Sequence, residues 1–176
     1  RLNLFLPVKD NAPLILWIGG GAWSYVNRNM ETDLGRNFAT AGIAVAAVGH
    51  RLSAAVWRSP KWNKGVEHPK HIEDIADALK WLVDHSSQYG YDGLKVFIGG
   101  FSSGAHLAAL LAMDDQYLEA VGLSLDNIAG IIAISGAYDI VGYHEVFASG
   151  SQPELAVEHV ESVFGSTQEG WVATSP

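Results

Sequence analysis

The chain contains no cysteine, which excludes disulfide scaffolds, thiol nucleophiles and thiolate metal sites. That absence leaves the compartment open, because secreted and cytosolic proteins can both lack the residue. No apolar run approaches the roughly 20 residues a helix needs to cross a bilayer. No signal-peptide pattern opens the sequence; it starts on Arg1 and enters a strand-like run at once, so its true beginning is expected upstream. Positive charge is confined to the first part: all 11 Lys and Arg lie between Arg1 and Lys95, and only acids follow, from Asp114 to Glu169. The net charge of −8 argues against a nucleic-acid partner, which would want a basic stripe. The acidic stretch reads as a solvated face.

What remains is an ordinary globular composition, 48% hydrophobic and 17% charged over 176 residues, enough for one domain with a real core. Residues 1–176 read as a single domain. Along it, "LNLFLP" alternates and suggests an edge strand, while "PLILWI" and "IAVAAVGH" are continuous apolar runs of the kind buried on both faces of a sheet. "KVFIGG" and "IAGIIAISG" (Ile128 to Gly136) repeat the pattern. Helices are expected over "METDLGRNFATAG", from Pro69 with a stripe of Ile72, Ile75, Ala76, Leu79, Leu82 and Val83, over Ser103 to Met113, and as one last amphipathic helix in "ELAVEHVESVFG". Arg51 to Glu67 reads as a long loop. Strands alternating with helices predict a mostly parallel sheet covered on both faces, a three-layer α/β/α sandwich. In such sheets function lies at the carboxyl ends of the strands. Two glycine clusters sit there.

The second cluster, Gly100-Phe101-Ser102-Ser103-Gly104, satisfies G-x-S-x-G between a strand and a helix. A serine hydroxyl is a poor nucleophile and must be held where a base and a carbonyl can both reach it. A turn that displays it strains the serine backbone and tolerates almost no side chain on either side, hence Gly100 and Gly104. The helix that follows points its free N–H groups at the developing oxyanion, with the Ser103 amide as first donor. The earlier cluster, "LWIGGGAW", offers a second set of backbone donors from a loop after a parallel strand. Neither cluster gives G-x-G-x-x-G or ends in Gly-Lys-Ser/Thr, so a phosphate-binding cofactor site is not indicated. No cofactor is expected.

With both loops in place, the sequence resembles the α/β-hydrolase esterases, in the branch of bacterial carboxylesterases, feruloyl-esterase-like enzymes and kynurenine formamidase-like proteins. The resemblance rests on "LNLFLP", "GGGAW", "HRLS", "EHPKHIEDIADALKWL", "GYDGLKVFIGGFSSGAHLAALLA", "IAGIIAISGAYDI" and the closing "SP". It implies an incomplete α/β-hydrolase fold with Ser102 as nucleophile. Gly20, Gly21, Ala22 and Ser103 would supply oxyanion donors, Trp23 would pack behind the loop, and Trp23 and Phe101 would border a substrate pocket. Two departures stand out: Gly19 replaces the histidine of His-Gly-Gly-x-Trp, and Phe101 replaces the usual His or Asp. The resemblance also places the catalytic Asp and His beyond Pro176, so the 176 residues correspond to the front part of a longer catalytic domain.

Other residues invite rival readings. Asp139 with His144 or His159 preserves the order serine, acid, base, but His159 reads as a partly exposed surface residue. His106 reads as packing against the sheet. His68, His71 and Asp74 suggest a metal, yet a helix start there favours capping and surface roles. His50 and His85 suit strand and helix ends. Trp57 and Trp62 read either as walls of an aromatic acyl pocket or as loop anchors. The leading expectation is a serine hydrolase of small acyl or aryl esters; the alternatives are cleavage of an N-formyl aryl amine and a non-catalytic hydrolase-fold binding protein. The oligomeric state is not legible.

Overall fold

In the computed structural model, which describes residues 1–176, the apolar runs pair into one five-stranded sheet. Its strands are β1 (Leu2–Phe5), β2 (Ala12–Ile18), β3 (Ala44–Val48), β4 (Tyr91–Phe101) and β5 (Gly130–Ile134), ordered β1-β3-β2-β4-β5. β1 runs antiparallel to β3, from Leu2↔Val48 to Phe5↔Val45, and the other pairs are parallel. The helices are α1 (Thr32–Thr40), α2 (Lys70–Asp84), α3 (Ser86–Tyr89), α4 (Ser103–Met113), α5 (Gln116–Glu119), α6 (Ile140–Ala148), α7 (Glu154–Ala156), α8 (Ser162–Phe164) and α9 (Gln168–Ala173).

Strand alternation divides the core in two. Leu14, Leu16 and Ile18 of β2 join the larger core with Ile72, Ile75 and Leu79 of α2 and Leu107 and Leu111 of α4. Their neighbours Ile15 and Trp17 point the other way, to a smaller core with Val45, Leu34 and Phe38 on the α1 side. β2 and β3 are therefore apolar at nearly every position because both of their faces are covered. α4, apolar all round, is buried along most of its length, as a central helix must be.

Two expectations need correction. β5 was expected to be buried, yet Ile131, Ile132 and Ile134 are 44%, 37% and 46% exposed, because β5 is an outermost strand of the sheet. The last helix is not uniform: α7 passes through a π-helical stretch, Val157–Glu161, into α8. That extra residue per turn keeps Ala156, Val160, Val163 and Phe164 all buried. α6 and α9 are two further helices, each with an N-cap residue: Asp139 accepts the Gly142 amide and Thr167 the Gly170 amide.

One histidine also differs from expectation. His71 is fully buried rather than on the surface, and its Nε2–H donates to Ser53 Oγ at 2.9 Å while that hydroxyl donates to the Val66 carbonyl. α2 has Pro69 at its cap position, and no side chain caps it. Asp74 pairs instead with Arg51 at 2.8 Å. His106 is fully buried, donating from Nε2 to the Thr174 carbonyl at 2.8 Å, and so ties α4 to the end of the chain. Burial pushes His71 down to about 3 and both His68 and His106 down to about 4.

These depressed values make stability depend on acid. Above pH ~6.5 folded and unfolded chains both hold these histidines neutral. Below it the unfolded chain takes up protons that the native core refuses, until the pH nears the folded values. His71 and His106 together should remove up to about 2.7 kcal/mol per pH unit, roughly 3 kcal/mol between pH 6.5 and 5. Urea midpoints measured from pH 7.5 to 5 should fall accordingly; a flat profile would contradict the burial of these rings.

Candidate active site

β4 ends at Phe101 and α4 begins at Ser103, which leaves Ser102 to make the turn at φ 54°, ψ −122°. A non-glycine residue pays strain there and keeps the conformation only where its surroundings over-determine it. They do so here. The Ser102 amide donates to the Ile134 carbonyl at 2.9 Å, and the Ser102 carbonyl accepts the His106 amide at 3.1 Å. A Cβ on Gly100 would collide with the Gly104 backbone, and a Cβ on Gly104 with the Ile18 carbonyl. The first turn of α4 is thus pressed onto the end of β2.

The glycine-rich loop leaves β2 at that same point and runs under strain of its own. Gly21, Ala22 and Trp23 all have positive φ, at 152°, 45° and 57°. The Gly21 carbonyl accepts the amides of Ser24 and Tyr25 at 2.9 and 3.0 Å, which curls the loop. A Cβ on Gly20 would stand 3.0 Å from the Ser102 Cβ and 3.0 Å from the Phe101 carbonyl. The loop and the turn are in contact, with glycine at the point of approach.

The backbone donors divide unevenly. The Gly21 N–H donates to the buried Ser103 Oγ at 3.1 Å, so it is already spent. This corrects the expectation that Gly21 is an oxyanion donor. The amides of Gly20, Ala22 and Ser103 have no acceptor in the protein. Ser103 adjoins Ser102 in the chain, and Gly20 touches it across the site. The Ser103 side chain was not singled out from the sequence; its signal was a second hydroxyl in the first turn of a helix that opens on an apex.

Trp23 also needs correction as a pocket residue. It is 1% exposed and packs edge-on against His106, Tyr143 and Phe164, behind the loop and not in front of it. Phe101 is half exposed. Trp57 meets Tyr25 and His159 edge-on, and so anchors the long loop, whereas Trp62 lies exposed near Arg58. A cavity of about 700 Å³ is lined by Arg28, His50, Arg51, Asp74 and Trp81 among others and does not include Ser102.

No histidine of the chain hydrogen-bonds to Ser102. Asp139 caps α6, and His144 bonds Glu161 at 3.3 Å and stacks on Trp171. His159 is partly exposed, as expected, but both of its ring nitrogens are closed off from water between Trp57 and Phe147, and burial lowers its pKa. Asp139, His144 and His159 are not joined by hydrogen bonds into a triad. No cluster of metal-ligating side chains forms around His68, His71 and Asp74.

A serine at positive φ between a parallel strand and a helix, abutting a strained glycine loop, agrees with the comparisons. A profile of the BD-FAE family matches residues 2–170. The chain belongs to the BD-FAE family. Among curated relatives, a probable isoprenylcysteine alpha-carbonyl methylesterase of Oryza sativa is 27% identical over 80% of this chain and 33% of its own. A probable carboxylic ester hydrolase, LipM, of Mycobacterium tuberculosis is 27% identical over 97% of this chain and 38% of its own. Among solved structures, esterase B from Lactobacillus rhamnosis superposes with a TM-score of 0.74 at 27% identity, covering 96% of this chain and 53% of that one. The Pyrobaculum calidifontis esterase, at 24% identity and a TM-score of 0.77, shares the fold over 100% of this chain and 56% of its own. The BD-FAE chain thus has the α/β-hydrolase fold, and it spans about a third of the length of the curated relatives it matches.

Two substitutions probe this geometry. Ser103→Ala keeps the backbone amide but strands the buried Gly21 N–H, which should cost about 1–3 kcal/mol in a denaturant titration. Gly104→Ala forces a methyl group into the Ile18 carbonyl and should cost about 3 kcal/mol or more. A Gly104→Ala protein with wild-type stability would show that α4 does not approach β2 so closely.

Proposed function

We propose that this protein is a serine carboxylic-ester hydrolase acting on small acyl or aryl esters, with Ser102 as its nucleophile. The observation that carries the reading is the strained Ser102 backbone, φ 54° and ψ −122°, held beside amides that have no acceptor. Strain of this kind is kept only where the surrounding structure enforces it, and it concentrates at functional sites. The relatives described as carboxylic ester hydrolases and esterases support the same reading.

In this mechanism the Ser102 Oγ bonds to the ester carbonyl carbon while a base takes its proton. The carbonyl oxygen gains the negative charge, and the Ser103 amide with those of Gly20 or Ala22 meets it. Collapse of the tetrahedral species breaks the bond to the alkoxy oxygen, which leaves as the alcohol with the proton returned by the base. Water then attacks the acyl-enzyme, releases the carboxylic acid and restores Ser102. The base and the acid that orients it belong after residue 176, where the family resemblance puts them. Phe101, half exposed beside the apex, gives an apolar edge for the acyl or aryl group.

Treating the full-length protein with a fluorophosphonate should label Ser102 covalently, and Ser102→Ala should abolish the labelling. Intact mass and peptide mapping read both results. A folded, full-length sample that resists the probe would overturn the proposal in favour of a binding protein on the same fold.

A further inference from the structure

Gly19 lies on the face of β2 that carries Ile15 and Trp17, because side chains alternate along a strand. It has no side chain to place there, and the space is filled from elsewhere. A Cβ on Gly19 would stand 2.7 Å from Glu31 Oε1 and 3.4 Å from its carboxyl carbon. The other carboxylate oxygen, Oε2, accepts the Trp17 Nε1–H at 2.9 Å. Trp17 is itself held tightly: it is 7% exposed in the small core with Ile15 and Val45, and a Cβ on Gly99 would lie 3.0 Å from its ring.

Glu31 ends a 3₁₀ turn, Arg28–Glu31, whose start is capped by Asn27 accepting the Asn29 amide at 3.0 Å. One carboxylate therefore joins three parts: the end of β2 through Trp17, the first residue of the glycine loop, and the segment by which the chain leaves that loop. At its other end the loop is pinned by the Gly21 N–H on Ser103 Oγ. Between these two points lies Gly20, whose neighbours on the opposite side are Phe101 and Ser102.

We infer that Glu31 is a positioning residue for the active site, its carboxylate standing in for the missing side chain at Gly19 and holding the glycine loop against the Ser102 turn. It touches no reacting atom. It acts through the Gly20 and Ala22 amides, whose usefulness to an oxyanion depends on where they sit to within a fraction of an ångström. The negative charge is not what the role requires. An amide side chain can accept from Trp17 and fill the same volume, so Glu31→Gln should serve nearly as well.

This inference rests on the proposed serine chemistry for its kinetic arm but not for its structural one. In the full-length protein, Glu31→Ala should slow fluorophosphonate labelling of Ser102 and lower kcat on p-nitrophenyl acetate, each roughly tenfold, with KM little changed. Glu31→Gln should stay within about twofold of wild type. Hydrogen exchange of the amides at residues 19–23 should quicken in Glu31→Ala and not in Glu31→Gln. Gly19→Ala, which drives a methyl group onto Oε1, should slow labelling as well, and Gly19→Ala with Glu31→Ala should be no worse than Glu31→Ala alone. Wild-type labelling and unchanged loop exchange in Glu31→Ala would overturn the inference. Absence of labelling in the wild type would instead strike the serine mechanism, while the exchange measurement would still decide the role of Glu31.

Discussion

The first turn of α4 can lie against the end of β2 only because position 104 has no side chain to meet the Ile18 carbonyl. From that contact the rest of the site takes its arrangement. It brings the Ser102 turn alongside the loop that leaves β2, and it puts Gly20 in contact with Phe101 and Ser102. It also lets Ser103 reach the Gly21 amide across a sequence gap of 82 residues. A bulkier residue at Gly104 would have to push α4 away, and the strained conformation of Ser102 would lose the packing that holds it.

The polar groups near this contact are used sparingly. A buried N–H without a partner is costly, and the Gly21 amide is satisfied by a hydroxyl from the facing helix. The amides of Gly20, Ala22 and Ser103 are left without acceptors in the protein. In the proposed mechanism a developing negative charge would repay their desolvation. Behind them Trp23 and His106 pack edge to face at 5.2 Å, with His106 bonded to the Thr174 carbonyl. The loop thus rests on a core that includes the C-terminal segment, and that core stays intact only while its histidines remain neutral.

Much of this was legible in the chain itself. Continuous apolar runs declare strands covered on two sides, and β2 and β3 are so covered. The stripe from Ile72 to Leu82 declares a helix with one buried face, and α2 has it. The α4 boundaries, Ser103–Met113, follow from the break between a β-type run and an alanine- and leucine-rich one. β5 misled because its composition, "GIIAI", cannot say whether a strand lies inside a sheet or at its border. The final helices misled because a π stretch shifts the apolar spacing away from the ordinary helical period. His71 reads as surface-facing from its place at a helix start, yet it stands four residues before Ile75 on the buried face of α2, where its ring meets Ser53.

The sequence by itself determined what depends on near neighbours: the strand-turn-helix at Ser102, the glycines that permit it, and the parallel sheet whose carboxyl ends carry both loops. Each follows from backbone sterics and side-chain period, which act over a few residues. Only the tertiary structure decided which amide stays free, which hydroxyl binds Gly21, and which carboxylate fills the space at Gly19. Those outcomes depend on the strand order β1-β3-β2-β4-β5, which sets side by side groups that are far apart along the chain. Whether a polar atom is spent or available is a matter of what lies within about 3 Å of it, and no local pattern encodes that distance.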